Sequence, residues 1–274
     1  EIAAEKGGII KPGAPVVLAP QKEEASQVIA QIAAQRKSTL VQMGQDFRYT
    51  PCSHSFEGQS LLVWRKSEQE KMNVYLESGS PQGWSPTILE IPLLGAHQVE
   101  NAATAYAALQ TAREQGLSLT NEQICSGFQK VEWPGRFEIL RREPPLVIDS
   151  AHNRDSALKL RIALADYFPG YPVVLVIGAS EDKDLFGMFS ELAPSVKQVI
   201  ATQAVHPRAT DPQLLVDLAH QFGRPAKAVP GVPAALEEAL RQAGHDKLIL
   251  VAGSIFLAAA ARDAWLEKFA THKD

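Results

Sequence analysis

Three residues invite a chemical reading before anything else is known. Asp149, His152 and Asn153 follow Leu146-Val147-Ile148, a run of apolar residues that reads as a buried strand. In an open parallel sheet, ligands bind beyond the carboxyl ends of the strands. A carboxylate, an imidazole and a helix N-terminus would converge there. The carboxylate suits sugar hydroxyls, while the helix dipole and the imidazole suit a phosphate. Asp149 and Asn153 read equally as ordinary capping residues. Gly178-Ala179-Ser180-Glu181-Asp182-Lys183-Asp184 follows the next strand in the same way. Its glycine permits close backbone approach and its charges can orient a polar ligand. By itself the stretch reads more readily as a solvated loop that ends in a helix cap at Asp184. After the third strand, Arg208 in His206-Pro207-Arg208 can grip a carboxylate with two parallel bonds, or stand as a surface arginine after a rigid turn.

Regular alternation of strands and helices must position these loops. The predicted strands are 146–148, 173–177, 198–201, 226–228 and 247–251. The predicted helices are 156–167, 185–192, 212–222 and 232–243, with a last one from about Ile255 to Lys268. Continuous Val/Ile/Leu strands alternating with helices imply a parallel sheet covered on both faces. Residues 137–143 form the expected domain boundary. Upstream, Val16-Val17-Leu18 reads as a strand and Glu23–Arg36 as a helix. From Leu40 to Leu94 the texture changes to short strand-like runs, 40–43, 61–64 and 73–76, as in a small antiparallel appendage. Asn101–Arg113 is predicted helical, and so is Asn121–Lys130 with Thr120 as its N-cap.

Composition narrows the function classes. The 274 residues are 45% hydrophobic and 21% charged with a net charge of -4, which gives no electrostatic case for nucleic acid or an anionic membrane. No apolar run reaches the ~18 residues of a membrane span. The nearest, Leu248 to Ala261, is interrupted by Gly253 and Ser254. Two cysteines, Cys52 and Cys125, without a CxxC pair argue against a disulfide framework or structural zinc, and for a cytoplasmic location. Neither GxxxxGK[ST] nor GxGxxG occurs, which argues against a self-sufficient NTPase or a nicotinamide dehydrogenase. The first residue is Glu1, and Glu1–Lys6 reads as the end of a helix already under way, so the chain is expected to be a piece of a longer protein.

Several segments, in order, resemble the folylpolyglutamate synthase/dihydrofolate synthase family, relatives of the cell-wall Mur ligases. They are Glu5-Lys6-Gly7-Gly8-Ile9-Ile10-Lys11-Pro12-Gly13, His97-Gln98-Val99-Glu100-Asn101-Ala102-Ala103, Trp133-Pro134-Gly135-Arg136 and Ile148-Asp149-Ser150-Ala151-His152-Asn153. The Asp182-Lys183-Asp184 loop and Gly253-Ser254 match in turn. Trp-Pro-Gly-Arg followed by Asp-x-Ala-His-Asn is the most specific part.

The resemblance implies an α/β protein. Residues 1–138 would be the second half of a Mur-ligase-type central ATPase domain. Residues 139–274 would be a Rossmann-like C-terminal domain with a mostly parallel sheet. The phosphate loop, the magnesium-holding residues and most of the pterin pocket would lie upstream, leaving this chain alone inactive. Asn101, Arg136 and Asp149 match ATP-binding positions, with His152 beside the same nucleotide. Asn101 would open a helix and read the adenine edge. Arg136 would neutralise transferring phosphate oxygens. Lys6 matches a carbamylated lysine suited to magnesium. Lys6, Arg136 and His152 are thus the expected catalytic residues. ATP and Mg2+ are the expected cofactors, and a folate or dihydropteroate plus L-glutamate the expected substrates. Lys183, Arg208 and Ser254 are candidates for the glutamate pocket. Gly7-Gly8 departs from the common Lys-Ala-Gly pattern, so the helix carrying Lys6 is expected to end early. The alternatives are a Mur-type cell-wall peptide ligase and a non-catalytic nucleotide-binding paralogue.

Overall fold

The computed structural model describes residues 1–79 and 83–268. They form two units, Glu1–Glu132 and Trp133–Asp274. Among the described residues no helix is long and apolar enough to cross a membrane.

In the first unit, helix α1 (Ile2–Gly7) packs on α2 (Glu23–Gln35), and α2 connects the parallel pair β1 (Val16–Leu18) and β2 (Leu40–Gln42). Gly7 stays helical. A Cβ there would lie 2.4 Å from Ile32 Cδ1, so the absent methyl makes room for α2. An antiparallel sheet follows, with β3 (Phe47–Ser55) and β5 (Thr87–Ile91) on either side of β4 (Gly58–Arg65). Successive residues of a strand face opposite sides. Leu61 and Val63 therefore join a core with Val99, Ala103 and Tyr106 of α4 (Ala96–Glu114) and Ile124 of α5 (Asn121–Gln129). Thr120 caps α5 as expected, its side chain accepting the Gln123 N–H.

The other face of β4 overturns one expectation. Residues 73–76 are not a strand but the middle of helix α3 (Gln69–Ser78). Leu62 and Trp64 need cover on that face, and Met72 of α3 supplies it fully buried, with Tyr75 packed alongside. Burial outweighs the strand preference of Val74 and Tyr75.

The second unit holds a six-stranded sheet in the order β10 (Ala226–Ala228), β9 (Val196–Ala201), β8 (Val173–Ile177), β11 (Leu248–Ala252), β7 (Pro145–Ile148), β6 (Glu138–Arg142). All neighbours are parallel except β6 and β7. Five strands were expected; β6 is the sixth, and it occupies the stretch expected as a boundary. Its charged residues suit an edge, where one side of the strand meets solvent. Its pairing slips by one residue between Ile139 and Arg141. Leu146, Ile148, Val174, Val176, Ile249 and Val251 share one core with α9 (Val232–Ala243) and α10 (Ile255–Lys268). Val147, Leu175 and Leu250 point the other way and are equally buried. Helices α6 (Arg154–Tyr167), α7 (Leu185–Leu192) and α8 (Pro212–Gln221) connect the strands that progress outward from β7 to β10. With β11 returning between β7 and β8, a switch point opens at their carboxyl ends.

This unit has a full two-sided core of its own. Expressed alone, 133–274 is expected to unfold in one cooperative transition, with circular dichroism and tryptophan fluorescence coincident in urea. Non-coincident curves would show that its core depends on the first unit.

Candidate functional site

Asp149 stands where β7 ends, and it acts as a clasp rather than a helix cap. It is 6% exposed. Oδ2 accepts the Phe137 N–H at 2.8 Å and Oδ1 accepts the Ala151 N–H at 2.7 Å. Burial pushes its pKa above the ordinary carboxylate range. The two amide bonds, and to a lesser degree the positive Arg136, pull in the opposite direction. Asn153 is the cap: its Oδ1 accepts the Ser156 N–H at 2.8 Å and starts α6.

The Trp133–Phe137 turn is pinned on both sides of Arg136. Gly135 N–H donates to Glu138 Oε2 at 2.8 Å, and Ser150 N–H donates to the Gly135 carbonyl at 2.9 Å. Phe137 is bound by Asp149 as described. The turn needs left-handed backbone at Gly135 (φ 74°) and at Phe137 (φ 43°). That conformation is uncommon for a bulky residue, and the Asp149 bond and the burial of the Phe137 ring hold it. Arg262 of α10 donates from Nε to both Glu138 oxygens, at 2.9 and 3.1 Å. Arg136 is therefore carried on fixed backbone, close enough to Asp149 for the two charges to interact. The His152 ring donates from Nδ1 to the Ser150 carbonyl at 3.0 Å, which leaves Nε2 as an acceptor in the neutral ring.

The neighbouring loops meet this one through glycine. Gly253, after β11, donates its N–H to the Ala151 carbonyl at 2.9 Å. A Cβ on Gly253 would lie 2.5 Å from the Gly178 carbonyl oxygen. The loops after β7, β8 and β11 are thus in backbone contact. Among the glutamate candidates, Lys183 and Arg208 both approach Asp182, at 2.8 and 3.9 Å. Ser254 is 9% exposed and caps α10, its Oγ accepting the Leu257 N–H at 3.0 Å, which leaves its own proton to donate elsewhere. Asp184 is the α7 cap, accepting the Gly187 N–H.

Two candidates lie in the first unit. Asn101 does not open a helix: α4 starts at Ala96 behind Gly95 (φ 98°), and Asn101 Nδ2 donates to Gln98 Oε1 at 3.1 Å. The polar residues Gln98 and Glu100 hid the first turns. Lys6 lies in the last turn of α1, exposed, with its ammonium 3.2 Å from Glu5. Among the described residues no group of three or more His, Cys, Asp or Glu could hold a metal ion. These residues, with Lys6 unmodified, do not by themselves fit magnesium.

Sequence reasoning passed over Phe137, Glu138 and Arg262, which hold Arg136 in place. Glu138 and Arg262 are 124 positions apart, and nothing local marks them as partners. Asp182 was noticed only as part of its loop, although its adjacency to Lys183 was a usable signal.

Comparison with known proteins bears on this arrangement. Residues 135–255 match the family described as Mur ligase, glutamate ligase domain. A probable bifunctional folylpolyglutamate synthase/dihydropteroate synthase of Haloferax volcanii is 38% identical over 178 residues, covering 65% of this chain and 21% of that protein. The dihydrofolate synthase/folylpolyglutamate synthase of Bacillus subtilis is 26% identical over 266 residues, covering 93% of this chain and 56% of that one. The chain is a homologue of the folylpolyglutamate and dihydrofolate synthases. Its fold agrees with theirs. The Mycobacterium tuberculosis folylpolyglutamate synthase complexed with ADP and AMPPCP superposes with a TM-score of 0.79 at 26% identity, over 96% of this chain and 58% of that one. This folylpolyglutamate synthase homologue thus spans little more than half of the Bacillus and Mycobacterium proteins, and about a fifth of the Haloferax one. The pinned Arg136, Asp149 and His152 all fall inside the stretch that this family model matches.

Proposed function

We propose that this chain supplies the glutamate-adding portion of an ATP-dependent ligase acting on a folate or dihydropteroate. The carrying observation is Arg136 on backbone pinned by Asp149, beyond the carboxyl end of β7 and within the stretch that matches the glutamate ligase domain family. In this reading the terminal phosphoryl group of ATP is transferred to the pterin substrate's carboxylate. The amine of L-glutamate then attacks the acyl carbon, the C–O bond to phosphate breaks with its electron pair, and the amine loses a proton as the amide forms. Arg136 neutralises charge on the phosphate oxygens. Asp149, whose two oxygens are held by backbone amides, acts chiefly by fixing the turn that carries Arg136. His152 Nε2 can accept a hydroxyl of the nucleotide; that the Mycobacterium relative is complexed with ADP and AMPPCP supports a nucleotide ligand. Lys183, Arg208 and the free hydroxyl proton of Ser254 address the glutamate carboxylates. The phosphate-binding loop, missing from this sequence, must come from outside it.

Steady-state kinetics of the complete ligase test the reading, with ATP, magnesium, L-glutamate and either dihydropteroate or tetrahydrofolate. Arg208→Ala is expected to raise the KM for glutamate roughly tenfold with little change for ATP, since an arginine–carboxylate pair is lost and the phosphoryl step is untouched. An unchanged glutamate KM removes Arg208 from the pocket. Absence of any glutamate adduct with both pterins from the unsubstituted ligase sinks the ligase reading itself.

A further inference from the structure

The loop proposed to receive glutamate already contains a carboxylate in the position an anion would take. Asp182 Oδ2 lies 2.8 Å from Lys183 Nζ and 3.9 Å from Arg208 Nη1, so a single oxygen faces both cations. The carboxyl is held below its ordinary range by the Lys183 hydrogen bond, and to a lesser degree by attraction to Lys183 and Arg208. Lys183 comes from the loop after β8 and Arg208 from the loop after β9, and backbone pairing brings them together. Ser180 and Ala209 form an antiparallel bridge, and Glu181 N–H donates to the Arg208 carbonyl at 3.1 Å. Arg208 N–H donates to His206 Nδ1 at 3.2 Å, and the His206 ring stacks on Phe256 with centroids 4.0 Å apart. The side chains themselves remain reachable: Lys183 is 32%, Asp182 46% and Arg208 65% exposed.

Two cations aimed at one point repel each other unless an anion stands between them. Asp182 supplies that anion from within the loop. An entering carboxylate would exchange one ion pair for another, so the pocket need not be rebuilt to accept it. We propose that Asp182 is an internal stand-in for the carboxylate of the incoming amino acid, keeping Lys183 and Arg208 converged and yielding to the substrate. It thereby sets the affinity of the pocket and keeps inorganic anions from filling it. This inference rests on the glutamate reading of the Lys183–Arg208 pair.

A stand-in and a merely structural aspartate respond in opposite directions to removal of the charge. The chain and its Asp182→Asn variant are titrated with sodium sulfate and, separately, with L-glutamate at constant ionic strength, following the Lys183 and Arg208 side-chain resonances. Asp182→Asn is expected to bind both probes roughly two- to fivefold more tightly, the scale of an exposed ion pair. Asp182→Glu is expected to return the affinity to that of the unsubstituted chain, a rescue that loss of loop structure would not give. Equal or weaker binding of sulfate by Asp182→Asn overturns the stand-in role. Tighter sulfate binding with no response of either side chain to glutamate supports an internal anion at this site and overturns the glutamate reading instead.

Discussion

Gly253→Ala is expected to lower the stability of the chain by more than about 3 kcal/mol, the range reached when a backbone position cannot accept a side chain. A Cβ at this position would stand 2.5 Å from the Gly178 carbonyl oxygen and 3.0 Å from its carbon. Both neighbours are backbone, so no flexible side-chain end can turn aside. The local φ of 128° adds strain for any L side chain. Relief requires the loops after β8 and β11 to part, and the Gly253 N–H bond to Ala151 then pulls on the loop after β7 as well. Gly170→Ala is the control: its φ is 79° but nothing lies within 4 Å of the added carbon. It should cost only the left-handed backbone penalty of about 1–2 kcal/mol. Urea unfolding of both variants decides the matter through the midpoint at constant slope. Equal losses would mean that backbone conformation, and not the contact with Gly178, makes glycine necessary at 253.

Asp149→Ala is expected to cost about 2–4 kcal/mol. The Phe137 and Ala151 N–H groups would be buried without acceptors, each at about 1–3 kcal/mol, offset in part by release of the buried carboxylate from its desolvation. Asp149→Asn should not rescue it, because the NH2 that replaces one oxygen faces an N–H donor. The pH dependence has a definite sign. With its folded pKa raised, Asp149 contributes most to stability below the ordinary carboxylate range, and that contribution is lost as pH rises through its raised titration. Stability measured across that window should fall less steeply in Asp149→Asn than in the unsubstituted chain. A steeper fall in the variant would mean that the amide bonds and the neighbouring cations outweigh burial. In the complete ligase, Asp149→Asn should lower turnover more than it raises the KM for ATP, since it frees the turn that aims Arg136.

The second unit was largely legible in the amino-acid sequence because its strands and helices declare themselves locally. Val173–Ile177 is a continuous apolar run and a fully buried strand. Asn153 and Asp184 sit where the helices they cap begin, as Thr120 does in the first unit. The ordered motifs from Glu5 to Ser254 pointed to the synthase family, and the comparisons agree. What could not be read locally depended on partners distant in sequence. Residues 73–76 carry a strand-like pattern, but the second face of β4 needs cover and takes them as a helix. β6 lies in the stretch expected as a domain boundary, and becomes a strand because β7 offers it an edge. Asp149 was noticed as a ligand for a nucleotide or a cap. Only the fold gave its two oxygens to Phe137 and Ala151, and so made it the residue that sets the backbone beside Arg136. Helices and buried parallel strands follow from neighbours a few positions apart, whereas a clasp between Phe137 and Asp149, or a carboxylate shared by Lys183 and Arg208, exists only once the sheet has brought separate loops to one end.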